Sequence, residues 1–176
     1  MKYLIAGTGG VGGSIAGFLS LAGKDVTCIA RGAHLQAIQT NGLKLKSDLK
    51  GEHALAIPAM NAEEFNGKAD VIFVCVKGYS VDSITELIKR ASHDKTVVIP
   101  ILNVYGTGPR IQRLVPGVTV LDGCIYIVYK TKLKHWNIVI QYRDNSILIW
   151  LNVRIIKYEG NCRVGYNTLF PCISDC

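Results

Sequence analysis

Four places in this chain carry groups suited to holding an anion or a polarised carbonyl. The first is a glycine run near the start, Gly7-Thr8-Gly9-Gly10-Val11-Gly12. The others are single side chains: the Arg31 guanidinium, the Lys77 ammonium and the Asn103 amide. In a G-x-G-x-x-G run the first glycine permits a tight turn. The second lets backbone N–H groups approach a pyrophosphate, and the third lets a helix pack close to a strand. The pattern alone is weak, because the chain holds 18 glycines in 176 residues. Its setting makes it informative. An apolar run, Tyr3 to Ala6, precedes it, and Val11, Ile15, Phe18, Leu19 and Ala22 then fall on one helical face. Strand, glycine turn and helix together present free N–H groups and a positive dipole end to a pyrophosphate.

The elements that must position the other three groups read as further strands and helices. Asp25 to Ala30 is a second strand, with Arg31 at its end. A dinucleotide fold reads the adenosine ribose about 20 residues past the glycine turn, where a carboxylate selects the 2′-hydroxyl. Here Ala30-Arg31-Gly32 offers no carboxylate. A guanidinium can bind a 2′-phosphate through two parallel hydrogen bonds, so the expected cofactor is NADP. Ala33 to Gln39 is a short helix with Leu35 and Ile38 inward, stopped by Asn41-Gly42. Leu43 to Lys46 alternates as a half-exposed strand, and His53 to Ile57 is its partner.

Asp70 to Val76 is the clearest buried parallel strand, and it ends at Lys77. Ser80 is placed to cap the next helix, whose inner face carries Val81, Ile84, Leu87 and Ile88. Thr96 to Pro100 is another strand, with Asn103 just beyond it. Pro109 fits the first turn of a helix carrying Ile111, Leu114 and Val115, and Val118 to Val128 returns as one or two strands. The succession implies an α/β, Rossmann-like, doubly wound and mainly parallel sheet. Arg31, Lys77 and Asn103 then share the edge at which such sheets bind ligands.

Composition narrows the function classes. Hydrophobic residues make up 49% and charged residues 19%, which describes a folded globular chain. No apolar run reaches membrane-spanning length. Lys2 is followed by no charge until Lys24, but seven glycines in that interval make a poor leader. Six cysteines include no C-x-x-C pair, so neither a metal site nor a disulfide framework is expected, and the compartment reads as reducing and cytoplasmic. Cys28 and Cys75 fall in strands as small hydrophobes, and His34, His53 and His93 read as surface residues. The net charge of +7 comes from scattered basic residues without an aromatic-basic motif. It fits an anionic cofactor and substrate better than nucleic acid.

With those residues placed, the chain resembles the N-terminal domain of ketopantoate reductase (2-dehydropantoate 2-reductase). The resemblance rests on Gly7 to Gly12, Arg31, Val76-Lys77 and Asn103 after Pro100. It also rests on Leu114-Val115-Pro116-Gly117 and Gly123-Cys124-Ile125-Tyr126-Ile127. It implies reduction of the small 2-oxo acid ketopantoate with NADPH, a step of pantothenate and coenzyme A synthesis. By the same resemblance, Gly7, Thr8, Gly9, Gly10, Val11 and Gly12 hold the pyrophosphate and Arg31 the 2′-phosphate. Lys77 and Asn103 lie by the nicotinamide and the substrate. The family's usual Asn-Gly is Asn103-Val104 here, and a β-branched residue resists the positive φ that glycine permits.

The resemblance covers about residues 1–128, expected to form the NADP-binding domain. Residues 129–176 read differently. They hold both tryptophans, three cysteines and the basic run Lys130 to Lys134. Ile138 to Tyr142 and Ile147 to Ile155 are candidate strands. The family's helical C-terminal domain, which supplies a general-acid lysine, has no equivalent in this stretch. The tail is read as that of a truncated product with a shifted reading frame, with natural variation of a shorter protein as the alternative. The expectation is a homologue weakly active or inactive alone. A non-catalytic NADP-binding module, or a dehydrogenase for another 2-oxo or 2-hydroxy acid, remains open.

Overall fold

A computed structural model describes residues 1–47, 51–102, 104–130 and 133–141; for 47, 124–130 and 133–141 it describes backbone alone. The chain begins with β1 (Lys2–Ala6), α1 (Gly10–Leu21), β2 (Asp25–Ile29) and α2 (Gly32–Asn41). A hairpin follows, β3 (Leu43–Ser47) with β4 (Gly51–Leu55), and then β5 (Ala59–Met60). Next come β6 (Val71–Val74), two 3₁₀ turns, α3 (Thr85–Ala91), β7 (Val97–Pro100) and α4 (Thr107–Leu114). The described part closes with β8 (Thr119–Val120), β9 (Asp122–Lys130) and β10 (Leu133–Gln141).

Six strands form one parallel sheet in the order β5-β2-β1-β6-β7-β8. The chain leaves β1 toward β2 and β5 on one side, then adds β6, β7 and β8 on the other. This is the doubly wound, Rossmann-like arrangement expected from the sequence, and both faces of the sheet are covered. Successive residues of β1 point to opposite faces, which is why its buried residues Leu4, Ile5 and Ala6 are all apolar. Ile5 packs on one face with Ile15, Leu19, Cys28, Ile38 and Phe73. Leu4 and Ala6 pack on the other with Ile72, Val74, Leu87, Ile88 and Ile111.

Helix α1 lies between the sheet and the β3–β4 hairpin. A Cβ at Gly17 would come within 3.1–3.4 Å of Leu45, and one at Gly13 would lie 3.6 Å from Leu43. The many small residues of this helix therefore serve two packing faces, and its buried surface is broader than the single stripe read from periodicity.

Three sequence expectations need correction. Ser80 does not cap α3, which starts at Thr85 behind Ile84 with no side-chain cap; Ser80 ends a 3₁₀ turn, and its carbonyl accepts the Ser83 hydroxyl at 2.8 Å. His53 and His93 are half-buried rather than surface residues. Of the stretch Ile138 to Tyr142, residues 138–141 belong to a longer strand, β10, antiparallel to β9 with Leu133 opposite Lys130 and Gln141 opposite Asp122, and Tyr142 lies outside the described residues. Residues 147–155 and Asn103 lie outside the described residues.

Candidate functional site

The parallel register brings the strand ends to one level. Ala6 is level with Ile29 on one side and with Val74 on the other, and Val74 is level with Pro100. Arg31 follows Ile29 by two residues and Lys77 follows Val74 by three. Both therefore stand at the C-terminal edge, on the two strands that flank β1. With neighbouring strands about 4.8 Å apart, the ends of β2 and β6 are separated by about 10 Å, with the glycine turn between them. The topology reverses direction beside β1, and open α/β sheets bind ligands in the crevice at such a point.

The glycines of the turn divide by what surrounds them. Gly7 has φ +101°, and a Cβ there would sit 2.9 Å from the Val76 backbone nitrogen. A Cβ at Gly12 would collide with the Gly7 carbonyl oxygen and lie 3.1 Å from the Cys75 Cβ. These two let the turn, α1 and the end of β6 close on one another. Gly9 and Gly10, by contrast, face open space. Gly9 caps α1 through backbone alone, with no side chain taking up the first N–H groups. A shelf that a Cβ would begin to fill, at an uncapped helix start, fits a pyrophosphate by shape and by dipole.

Thr8 holds the turn to β2. The Ile29 carbonyl oxygen accepts the Gly7 N–H at 3.2 Å, the Thr8 N–H at 3.1 Å and the Thr8 hydroxyl at 2.8 Å. The Thr8 carbonyl in turn accepts a hydrogen bond from Nε2 of His34, on the first turn of α2, at 2.6 Å. His34 is exposed as expected, but this bond ties it to the glycine turn, which its polar surroundings in the sequence gave no sign of.

Arg31 and Lys77 are exposed, and neither side chain bonds a described residue. Arg31 is the N-cap residue of α2 in extended conformation, and Lys77 precedes the first 3₁₀ turn. Among the described residues, Lys77 is the only lysine at this edge. Beside it stand Tyr79, 84% exposed, and Tyr105, fully exposed. The positive φ in the loop that carries Val104 falls at Gly106, +78°, two residues further on. Below the turn, burial pushes the Cys28 thiol up to about 11 and the Cys75 thiol up to about 12, so both stay protonated and unreactive near neutrality. Cys28 lies on β2 and Cys75 just past the end of β6, on opposite sides of β1 and too far apart for a disulfide.

Two concavities lie away from this edge, about 230 Å³ by Ser92, His93 and Pro116, and about 560 Å³ between the end of α2 and residues 54–59. Neither gathers unpartnered charge. The glycine shelf is open on one side, so enclosed volume is a poor marker for it. No described group of histidine, cysteine and acidic side chains is arranged to hold a metal ion, and no described helix is long and apolar enough to cross a membrane.

Comparison with known proteins agrees with this arrangement. Residues 3–147 match the family model described as ketopantoate reductase PanE/ApbA. An uncharacterized oxidoreductase of Bacillus subtilis, YkpB, is 38% identical over 105 residues, 60% of this chain and 34% of that protein. A 2-dehydropantoate 2-reductase of Mesorhizobium japonicum is 38% identical over 104 residues, 58% of this chain and 32% of that one. The crystal structure of a PanE/ApbA family ketopantoate reductase from Ralstonia eutropha superposes with a TM-score of 0.72 at 25% identity, over 83% of this chain and 51% of that one. The chain thus spans about a third of the length of these curated relatives. The glycine turn, the parallel sheet and the family match over most of its length lead to one conclusion: this chain belongs to the ketopantoate reductase family.

Proposed function

We propose that this chain binds NADPH along the C-terminal edge of its sheet and forms the cofactor-binding part of a 2-oxo acid reductase, with ketopantoate as the substrate. The observation that carries the reading is the open shelf at Gly9 and Gly10, flanked just past the ends of the adjacent strands by two cations without a partner among the described residues. Charged groups left unpaired at a ligand edge are suited to pairing with anionic groups of a ligand. The N–H groups at the start of α1 would hold the pyrophosphate, with Thr8 and Val11 shaping the turn. Arg31 would grip the 2′-phosphate through a bidentate contact.

When bound, the nicotinamide supplies the hydride. The chain's own contribution at that end is positioning and charge. The Lys77 ammonium would orient the substrate carboxylate and stabilise negative charge developing on the carbonyl oxygen, with the Asn103 amide as a second donor. A positioned general acid typically adds about 10²–10⁴ in rate. Lys77 is the only described lysine at this edge, and the shelf is open to water, which weakens each electrostatic contact. A non-catalytic NADP-binding role is the second reading, supported by that openness.

Fluorescence titration tests the cofactor assignment: NADPH should bind the 176-residue chain more tightly than NADH, and equal affinities would defeat it. Loss of NADPH absorbance with ketopantoate tests turnover, expected near background for this chain alone. Robust turnover abolished by Lys77→Ala would show that the residues present suffice.

A further inference from the structure

The residues on either side of Arg31 both bond to one residue of the glycine turn. Ile29, two positions before Arg31, accepts the Thr8 N–H and hydroxyl through its carbonyl oxygen. His34, three positions after Arg31, donates to the Thr8 carbonyl at 2.6 Å. A carbonyl oxygen only accepts, so Nε2 carries the proton in this contact. Thr8 itself is 3% exposed, and its polar groups are thus satisfied from two sides by the segment that carries the arginine.

We propose that His34 is a positioning residue for dinucleotide selectivity. It ties the first turn of α2 to the pyrophosphate turn, so that Arg31 is presented at a set distance from the glycine shelf. The inference rests on the cofactor assignment above and adds the group that enforces it. The bonds to Ile29 fasten the glycine turn to the end of β2. They do not fix the start of α2, which leaves β2 through the extended Arg31. No side chain caps this helix, so the His34–Thr8 bond is the described hydrogen bond that joins its first turn to the glycine turn. Without it, the glycine turn keeps its shape while Arg31 must be ordered by the ligand. A ligand with a 2′-phosphate bears that ordering cost. A ligand with a 2′-hydroxyl makes no use of Arg31 and is little affected.

The experiment measures NADPH and NADH dissociation constants for wild type, His34→Ala, His34→Gln, Arg31→Ala and the Arg31→Ala/His34→Ala double variant, all in the full 176-residue chain. His34→Ala should weaken NADPH about five- to tenfold and NADH less than about twofold, a coupling in the ordinary range. His34→Gln, whose amide can donate to the same carbonyl, should stay within about twofold of wild type for NADPH. The double variant should bind NADPH no more weakly than Arg31→Ala, because His34 acts through Arg31. Equal weakening of both cofactors by His34→Ala would show a purely structural role and overturn the proposal. So would unchanged NADPH affinity, or additivity in the double variant. A wild-type chain that binds neither dinucleotide would instead remove the cofactor assignment itself, and this inference with it.

Discussion

The two edges of the parallel sheet treat charge differently. At the N-terminal edge Asp70, Lys68 and Arg90 are answered by the protein, while the Lys2, Lys24 and Lys95 ammonium groups have no described partner. Asp70 accepts the Lys2 backbone N–H at 2.6 Å and faces His93 Nε2 at 3.0 Å. Lys68 donates to the carbonyls of Arg90 and Ser92 at 2.9 and 2.7 Å, and Arg90 donates to those of Phe65 and Ala62. At the C-terminal edge Arg31 and Lys77 have no described partner, and the glycine shelf is empty of side chains. The difference separates charges that hold the fold from the two that the proposed function assigns to a ligand. Paired groups at one edge lock loops to strands. Arg31 and Lys77, without a described partner, give up that contribution and keep the hydrogen-bonding capacity that the proposed function directs to an anion.

The strongest test of this division uses two glycines of one motif. Gly12→Ala drives a methyl into the Gly7 carbonyl and should cost about 2–3 kcal/mol or more of stability, seen as an earlier denaturant midpoint. Gly9→Ala meets open space and an allowed φ of −75°. It should leave stability unchanged while weakening NADPH by about tenfold or more, because its methyl occupies the ligand's place. If both variants unfold alike, the shelf is structural and the comparison fails.

Arg31→Ala comes next. It should cost about 1.5–3 kcal/mol of NADPH affinity through the loss of two charge-assisted bonds, with no change in the unfolding midpoint. Arg90→Ala is its mirror at the opposite edge. About 1 kcal/mol of stability should be lost with its two backbone contacts, one part-buried and one exposed, and cofactor titration should be unaffected. A binding effect from Arg90 would show that the two edges communicate.

The smallest effect concerns pH. The Lys2 N–H, then His93, hold the Asp70 carboxyl below its ordinary value of 3.8. A depressed folded pKa gives stability that is present above the unfolded value and lost as pH falls through the folded one. Asp70→Asn should therefore lower the melting temperature slightly at neutral pH. The gap to wild type should narrow only below about pH 4, and a gap that persists unchanged at pH 2 would exclude the carboxylate charge as its source.

Much of the fold was legible because its signals are local. Tyr3 to Ala6 and, after Asp70, Val71 to Val76 are continuous apolar runs, as strands buried on both faces must be. Gly42 stops α2 with φ +73°, in the place the Asn-Gly pair marks. The Ser80 cap was misread because a serine before an apolar stretch satisfies the capping pattern, while the chain there first makes 3₁₀ turns, with Val81 and Ile84 buried. The hairpin continuation into β10 was only partly visible, since the basic run Lys130 to Lys134 carries no apolar alternation where β9 gives way to β10.

Sequence by itself determined the glycine turn after a buried strand, the parallel βαβ succession, and the placement of Arg31 and Lys77 at strand ends, because each depends on residues adjacent or one helical turn apart. Only the tertiary structure decided that Gly12 is closed off while Gly9 stands open. It likewise decided that His34 reaches Thr8 across 26 positions and that His93 meets Asp70 across 23. Such contacts are set by strand register and by the angle at which each helix returns to the sheet, and both depend on the packing of the whole core rather than on any local period.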